Sequence, residues 1–154
     1  MTASPAGTRR LIDEFLKCRR IAIAGVSRNP RDFSAGLFRE FLKRGYDAVP
    51  VNPNAAQVEG RTCYPRVQDI QPPVEAALLV TRPEVSARVV KDCAEASIHL
   101  VWMLRTADPA ATEFYRQHGL GIIAGYCPYL FLPEAAWFHR LHGWFMRLTG
   151  AYPD

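Results

Sequence analysis

A glycine, two serines and two arginines lie close together after the first apolar segment of the chain. The loop from Gly25 to Ser34 leads directly into an amphipathic pattern typical of a helix. Backbone N–H groups and the dipole at a helix N-terminus attract phosphate. Gly25 permits close approach of a ligand to the backbone, and Ser27 and Ser34 offer hydroxyl groups. Arg28 and Arg31 supply positive charge, so the loop as a unit is a predicted phosphate site.

Each of these residues also has a simpler explanation when it is taken alone. Ser34 would serve as the cap of the helix that follows, and Gly25 would serve as the end of a strand. The prediction therefore depends on the loop as a whole.

Other catalytic or metal chemistry has little support in the sequence. The four cysteines form no C-x-x-C pair, and no histidine stands at zinc-ligand spacing, so free thiols and no metal site are predicted. None of the four histidines is placed beside a carboxylate or a nucleophile by its spacing. Cys127, at a predicted strand end, is the one candidate nucleophile, although a small apolar residue in a turn is the simpler interpretation.

Two common nucleotide motifs are absent. The dinucleotide fingerprint G-x-G-x-x-G is missing, because no glycine lies between Gly25 and Gly36. The second predicted strand ends in Asn52-Pro53, where an NAD-binding domain places a carboxylate for the ribose. The phosphate motif G-x-x-x-x-G-K-[ST] is also absent. These departures disfavour NAD and exclude a P-loop.

The loop belongs to a regular alternation of short apolar strands and amphipathic helices. The predicted strands are Arg20–Gly25, Tyr46–Asn52, Ala76–Thr81, His99–Leu104 and Gly121–Gly125. The predicted helices cover residues 8–18, the segment from about Ser34 to Gly45, a segment that begins at Pro83, and Asp108 to Gly119. Apolar strands separated by helices must be covered on both faces. We therefore predict a single α/β domain with a doubly wound, Rossmann-like parallel sheet.

Residues 54–75 interrupt this alternation. They show no clear helix pattern, and a short extra strand near Arg61–Tyr64 is predicted there. In an open parallel sheet, ligands bind beyond the carboxyl ends of the strands. Function is therefore expected in four segments, which are residues 25–34, 52–53, 81–83 and 125–128.

Three of these segments together resemble a known family. The motifs are similar to those of the stand-alone bacterial CoA-binding domain proteins, and they are Gly25-Val-Ser with Pro30 and Ser34, then Val51-Asn-Pro, then Arg82. Those proteins are similar in turn to the N-terminal CoA-binding domain of the succinyl-CoA synthetase alpha subunit. The resemblance covers about residues 10–128.

The resemblance implies coenzyme A as the ligand and assigns residues to its parts. Gly25, Val26, Ser27, Arg28 and Ser34 would hold the phosphates of CoA, Asn52 and Pro53 would line the nucleotide side, and Thr81, Arg82 and Pro83 would flank the pantetheine path. The expected function is binding of CoA or an acyl-CoA without covalent chemistry. The alternative is a nucleotide- or CoA-dependent enzyme, either an oxidoreductase or an acyl-transfer enzyme that uses Cys127.

The chain departs from the family at three places. Asp32 stands where many relatives carry a basic residue, and Asn54-Ala55 stands where the synthetase has a lysine. Cys127-Pro128 is similar to a Cys-Pro turn of the synthetase, close to where its phosphohistidine domain docks. This sequence shows no counterpart of that domain, so we expect no ligase reaction.

An aromatic segment follows the predicted 8–128 domain. Residues 126–145 contain seven of the 17 aromatic side chains, and apolar residues recur at helical spacing over 134–149. This excess favours a helical tail, 129–154, that packs on the domain or on a second copy. We predict a homodimer through residues 134–149.

Composition limits the remaining classes. The chain has 154 residues, 49% of them hydrophobic and 22% charged, as in one ordinary globular domain. Its apolar runs are shorter than the roughly 20 residues of a membrane helix, and an apolar signal segment is absent, so a cytoplasmic location is expected. Residues 1–45 carry ten lysines and arginines against four acids, which suits an anionic ligand. Nucleic acid is disfavoured, because aromatic residues do not alternate with these cations.

Overall fold

A parallel sheet organises the computed structural model, which describes residues 5–105 and 109–132. The strands are β1 (Arg20–Ala24), β2 (Asp47–Val51), β3 (Gln57–Val58), β4 (Arg61–Thr62), β5 (Ala76–Leu79), β6 (Leu100–Met103) and β7 (Gly121–Ala124). Five of them form the main sheet in the order β2-β1-β5-β6-β7, and all of its neighbours are parallel. The predicted Rossmann-like fold is confirmed.

Four helices connect and cover these strands. They are α1 (Pro5–Lys17), α2 (Phe33–Lys43), α3 (Pro83–Glu95) and α4 (Pro109–Gln117), with short 3-10 helices at Val67–Asp69 and Pro128–Leu130. Each helix matches a predicted one to within a few residues. Pro83 is the first residue of α3, where its missing N–H costs no intrahelical hydrogen bond.

The side chains of each strand alternate between two buried clusters. Ile21 and Ile23 of β1 face a cluster that contains Phe15 of α1 and Phe38 of α2. Ala22 and Ala24 face the other cluster, which contains Val90 of α3. Because both faces of β1 are buried, the strand is apolar from Ile21 to Ala24, and only its first residue, Arg20, is charged.

The strands that follow β1 are added to the sheet on both of its sides. After β1 the chain crosses to β2 on one side, and after β2 it returns to β5 on the other side. The carboxyl ends of β1 and β5 therefore flank the point where loops diverge to opposite faces, which is where open α/β sheets form a ligand crevice.

The segment 54–75 differs from its prediction. The predicted extra strand is shorter, and it is half of an antiparallel hairpin, β3–β4, which is separate from the main sheet. Tyr64 then runs beside the outer edge of β2, where its N–H donates to the Pro50 carbonyl over 3.0 Å and its carbonyl accepts from the Asn52 N–H over 3.0 Å. The segment lacks a periodic pattern because it covers a sheet edge through backbone contacts.

Two predictions about the C-terminal part of the chain stay predictions. The aromatic helix over 134–149, with its homodimer, lies outside the described residues, and the domain boundary at 128 stays a prediction. Within residues 5–105 and 109–132, no helix has the length and apolar character needed to cross a membrane.

Candidate functional site

A pocket of about 480 Å³ opens at the carboxyl ends of β1, β2 and β5. The strand ends form its floor, one face of α3 forms one wall, and the segment that leads into the first 3-10 helix forms the other. Its lining residues are Ala24, Gly25, Val51, Asn52, Pro53, Pro65, Arg66, Val67, Thr81, Val85, Arg88, Val89 and Asp92. The pocket thus brings together predicted residues from three separate segments.

Gly25 is fixed at the floor of this pocket by its backbone. Its N–H donates to the Val51 carbonyl over 2.9 Å, and its φ angle of +91° is one that L side chains rarely adopt. A Cβ atom at this position would lie 2.8 Å from Cγ2 of Thr81 and 3.2 Å from the Thr81 nitrogen. Glycine is therefore required here for both conformation and space.

The loop after β1 is ordered by its own hydrogen bonds. The Ser27 N–H donates to Oγ of Ser34 over 2.9 Å, and Oγ of Ser27 donates to a carboxylate oxygen of Asp32 over 2.6 Å. The Asn29 N–H donates to Oγ of Ser27, and the Asn29 amide donates to the other Asp32 oxygen over 3.1 Å. Ser34 thus stabilises the loop rather than capping α2.

These bonds change which groups are available to an anion. The N–H groups of Ser27, Asn29, Arg31 and Asp32 are already used within the loop. The first turn of a helix leaves its N–H groups without intrahelical partners. The Asp32 side chain, within the described part of the chain, makes no capping bond to α2. The first turn of α2 therefore still offers N–H donors to a phosphate.

Two exposed arginines add positive charge to this loop. Among the described residues, neither Arg28 nor Arg31 forms an ion pair. The third arginine nearby, Arg39 of α2, donates to the Pro30 carbonyl over 2.8 Å and to Glu59 of the hairpin over 2.7 Å. Arg39 thereby ties the loop to the β3–β4 turn.

Asn52 connects the end of β2 to the loop. Its side-chain amide donates to the carbonyl of Val26 over 2.9 Å, and its side-chain oxygen accepts the Asn54 N–H over 2.8 Å. Val26 itself is fully buried. Of these predicted site residues, Asn52 and Pro53 line the pocket, whereas Val26 lies in the buried cluster that contains Phe38 of α2.

The end of β5 leads into α3 beside the pocket. Oγ1 of Thr81 lies 2.7 Å from Oγ of Ser86, which fixes the Thr81 side chain against Gly25. Arg82 is the N-cap residue of α3 and Pro83 is its first residue. Both are exposed, and neither lines the pocket.

Cys127 and Pro128 lie at the end of β7, outside the pocket lining. The following residue, Tyr129, packs its ring 5.7 Å from that of Phe33, the first residue of α2. The Cys-Pro turn is therefore on the α2 side of the sheet. Burial raises the pKa of the Cys127 thiol above its ordinary value, so the group is protonated near neutral pH.

A family comparison agrees with this geometry. A profile of the CoA binding domain matches residues 19–133, which include all of the sheet and the pocket. The chain belongs to the CoA binding domain family.

Relatives of this CoA-binding domain include both larger and similar-sized proteins. The alpha subunit of an ADP-forming acetate–CoA ligase II from Pyrococcus furiosus is 22% identical over 129 residues, which are 76% of this chain and 28% of the subunit. The chain therefore corresponds to little more than a quarter of that relative. An uncharacterized Bacillus subtilis protein is 22% identical over 112 residues, which are 72% of this chain and 83% of that protein.

A solved structure has the same fold at similar length. A hypothetical protein from Pyrococcus horikoshii superposes with a TM-score of 0.72 and 28% identity, over 82% of this chain and 88% of that protein. The parallel sheet and its covering helices are thus shared.

Several residues of this CoA-binding domain's pocket escaped the sequence analysis. Val85, Arg88, Val89 and Asp92 occupy one face of α3 at helical spacing, and that periodicity was a usable signal. Arg66 and its neighbours come from the aperiodic segment 54–75, where the sequence carried no comparable signal.

Proposed function

We propose that this protein binds CoA or an acyl-CoA at the β1–β5 crossover without covalent chemistry of its own. The observation that carries the proposal is the pocket itself, because it joins three segments singled out separately, at Gly25, Asn52-Pro53 and Thr81. Its volume of about 480 Å³ lies within the range of small-molecule sites, roughly 300–1,000 Å³.

The nucleotide end of CoA fits the pocket best. Pro53 and Pro65 offer apolar surface on one side, and Val85 and Val89 offer it on the other. A flat base buried between such walls gains free energy from removal of apolar area from water. The backbone at Gly25 allows the ligand to leave the pocket along the floor toward the loop.

The diphosphate of CoA is assigned to the loop and the start of α2. The N–H groups of the first helical turn point along the helix dipole, which favours a negative group. Arg28 and Arg31 carry exposed charges without ion pairs in the described part of the chain, so they are available to the phosphates. Charge-assisted hydrogen bonds of this kind contribute about 1.5–3 kcal/mol each.

The pantetheine arm then extends past Arg82 and Pro83 toward Cys127 and Pro128. The contact of Tyr129 with Phe33 supports this direction, because it brings the Cys-Pro turn beside the N-terminus of α2. The Cys127 thiol, whose pKa is raised by burial, is a neighbour of the CoA sulfur rather than a nucleophile in this proposal.

The same geometry disfavours NAD. The end of β2 carries Asn52, and both polar atoms of its side chain are already hydrogen-bonded to Val26 and Asn54. The ribose hydroxyl groups of NAD would find no carboxylate at this strand end.

Calorimetry with CoA, acetyl-CoA, NAD and NADP tests the proposal. We expect CoA and acetyl-CoA to bind most tightly, and Gly25→Val to abolish CoA binding, because its side chain would overlap Thr81 and the ligand path. Gly45→Val is the control, since Gly45 has a φ of +84° but open space around its missing Cβ. Tighter binding of NAD than of CoA, or normal CoA binding by Gly25→Val, would contradict the proposal.

A further inference from the structure

Two arginines line the pocket from opposite walls. Arg66 precedes the 3-10 helix Val67–Asp69, and Arg88 lies on the pocket face of α3. Both are exposed residues, so their guanidinium groups lie at the mouth of an otherwise largely apolar pocket. Asp92 is the only carboxylate among the lining residues, which leaves the lining with a net positive charge.

Neither arginine is committed to a strong internal ion pair. Arg66 approaches Asp69 at 3.5 Å, and its side chain is 62% exposed, so this pair contributes little. Arg88 precedes Asp92 by one helical turn, yet among the described residues Arg88 forms no ion pair within 4.0 Å. Both guanidinium groups can therefore turn to a ligand at small cost.

Their position separates them from the charges of the loop. Arg28 and Arg31 belong to the loop after Gly25, which leads to α2, whereas Arg66 and Arg88 line the pocket on the α3 side. Residues 52–58, which follow β2, carry no charged side chain. The site therefore has two separate centres of positive charge.

We propose that Arg66 and Arg88 bind a phosphate monoester on the ribose of the nucleotide. This inference rests on the proposed function, which places the base in the pocket and the diphosphate at the loop. A guanidinium group can donate two parallel hydrogen bonds to phosphate oxygens, and two such groups on facing walls can hold one phosphate between them. The pair makes the site selective for nucleotides that carry this second anionic group.

A comparison of CoA with dephospho-CoA isolates that phosphate, because the two ligands differ only in the 3′-phosphate of the ribose. Calorimetry is carried out on the wild type, Arg66→Ala, Arg88→Ala and the double variant. We expect each single variant to bind CoA about tenfold more weakly, while its affinity for dephospho-CoA stays within about twofold of wild type. The double variant is expected to bind the two ligands equally.

Two further variants serve as references. Lys91→Ala removes the same charge from an exposed position of α3 that does not line the pocket, so it should retain the preference for CoA. Arg28→Ala should weaken both ligands by the same factor, because the loop contacts the diphosphate that they share. Thermal melting of each variant checks that the fold is intact.

The outcomes separate the inference from the proposed function. If wild type binds dephospho-CoA as tightly as CoA, or if the arginine variants weaken both ligands equally, the inference is wrong and CoA binding stands. If neither ligand binds, the proposed function fails and the inference fails with it.

Discussion

The loop after β1 and the pocket beside α3 meet at Gly25, but they are built in opposite ways. Residues 27–34 are mostly exposed and hold one another through short-range hydrogen bonds, from Ser27 to Ser34 and to Asp32. The pocket is mainly apolar, and its walls come from segments that are distant in sequence, such as those of Val51, Pro65 and Val89. One region is a local structure, and the other exists only through packing.

This difference separates two kinds of recognition. The loop presents charge and backbone donors, so it should accept a diphosphate whatever is attached, and salt should screen its exposed charges. The pocket presents shape, apolar area and two arginines, so it should decide which nucleotide binds. Affinity for phosphate and selectivity for the nucleotide would then be changed by different substitutions.

Blocking the pocket while the loop is left intact should have the largest effect. Val85 lines the pocket and is 37% exposed, so Val85→Trp can project into the pocket without disrupting the core. We expect CoA affinity to fall by more than about a hundredfold, with little change in melting temperature, when both are measured by calorimetry. Glu84→Trp places the same ring on an exposed neighbour outside the lining and should bind CoA normally. Unchanged CoA binding by Val85→Trp would place the nucleotide elsewhere.

Removing a negative charge from the loop should have a smaller effect on CoA affinity, and this effect should be an increase. Asp32 places a carboxylate beside the proposed diphosphate site. Asp32→Asn keeps one oxygen that can accept the hydroxyl of Ser27 and loses the second acceptor, which the Asn29 amide uses. We expect CoA to bind about threefold more tightly at low salt, because a like charge is removed, and the gain should vanish at high salt.

Asp13→Asn is the matched control for this loop variant. It removes a carboxylate from α1 that pairs with Arg9 instead, so CoA affinity should stay the same. Weaker CoA binding by Asp32→Asn would mean that the carboxylate matters more for ordering the loop than for its charge.

The smallest effect on CoA affinity is expected at Cys127, where the proposed path of the pantetheine arm ends. Cys127→Ser should change CoA affinity by less than about twofold, because no covalent step is proposed. In the wild type, diamide should join the sulfur of Cys127 to that of CoA in a disulfide, and the two thiol hydrogens reduce the diamide. Intact-mass analysis and peptide mapping detect the adduct, which Cys127→Ser should lose and Cys18→Ser should keep. An adduct found only on Cys18, Cys63 or Cys93 would contradict the assigned path.

The amino-acid pattern predicted most of the fold because its signals are local. Apolar runs such as Ile21–Ala24 and the helical spacing in α2 appear within a dozen residues, and each is sufficient to define one element. Segment 54–75 was not predicted because its structure depends on a sheet edge. Tyr64 bonds to Pro50 of β2 and to Asn52, which follows the strand, and no side-chain period encodes such a backbone contact. Of the predicted site residues, Gly25, Asn52, Pro53 and Thr81 lie around one pocket, because the carboxyl ends of parallel strands share one edge of the sheet.

By itself the sequence determined the alternation of elements, the charged loop from Gly25 to Ser34 and the family resemblance, because each depends on short stretches of neighbouring residues. Only the tertiary structure decided that Gly25 has no room for a Cβ beside Thr81, and which residues line the pocket. Arg66 and Arg88 stand 22 positions apart, and only the packing of α3 against the segment after β4 places both at one pocket. Such a site depends on distances between elements, which a one-dimensional pattern does not contain.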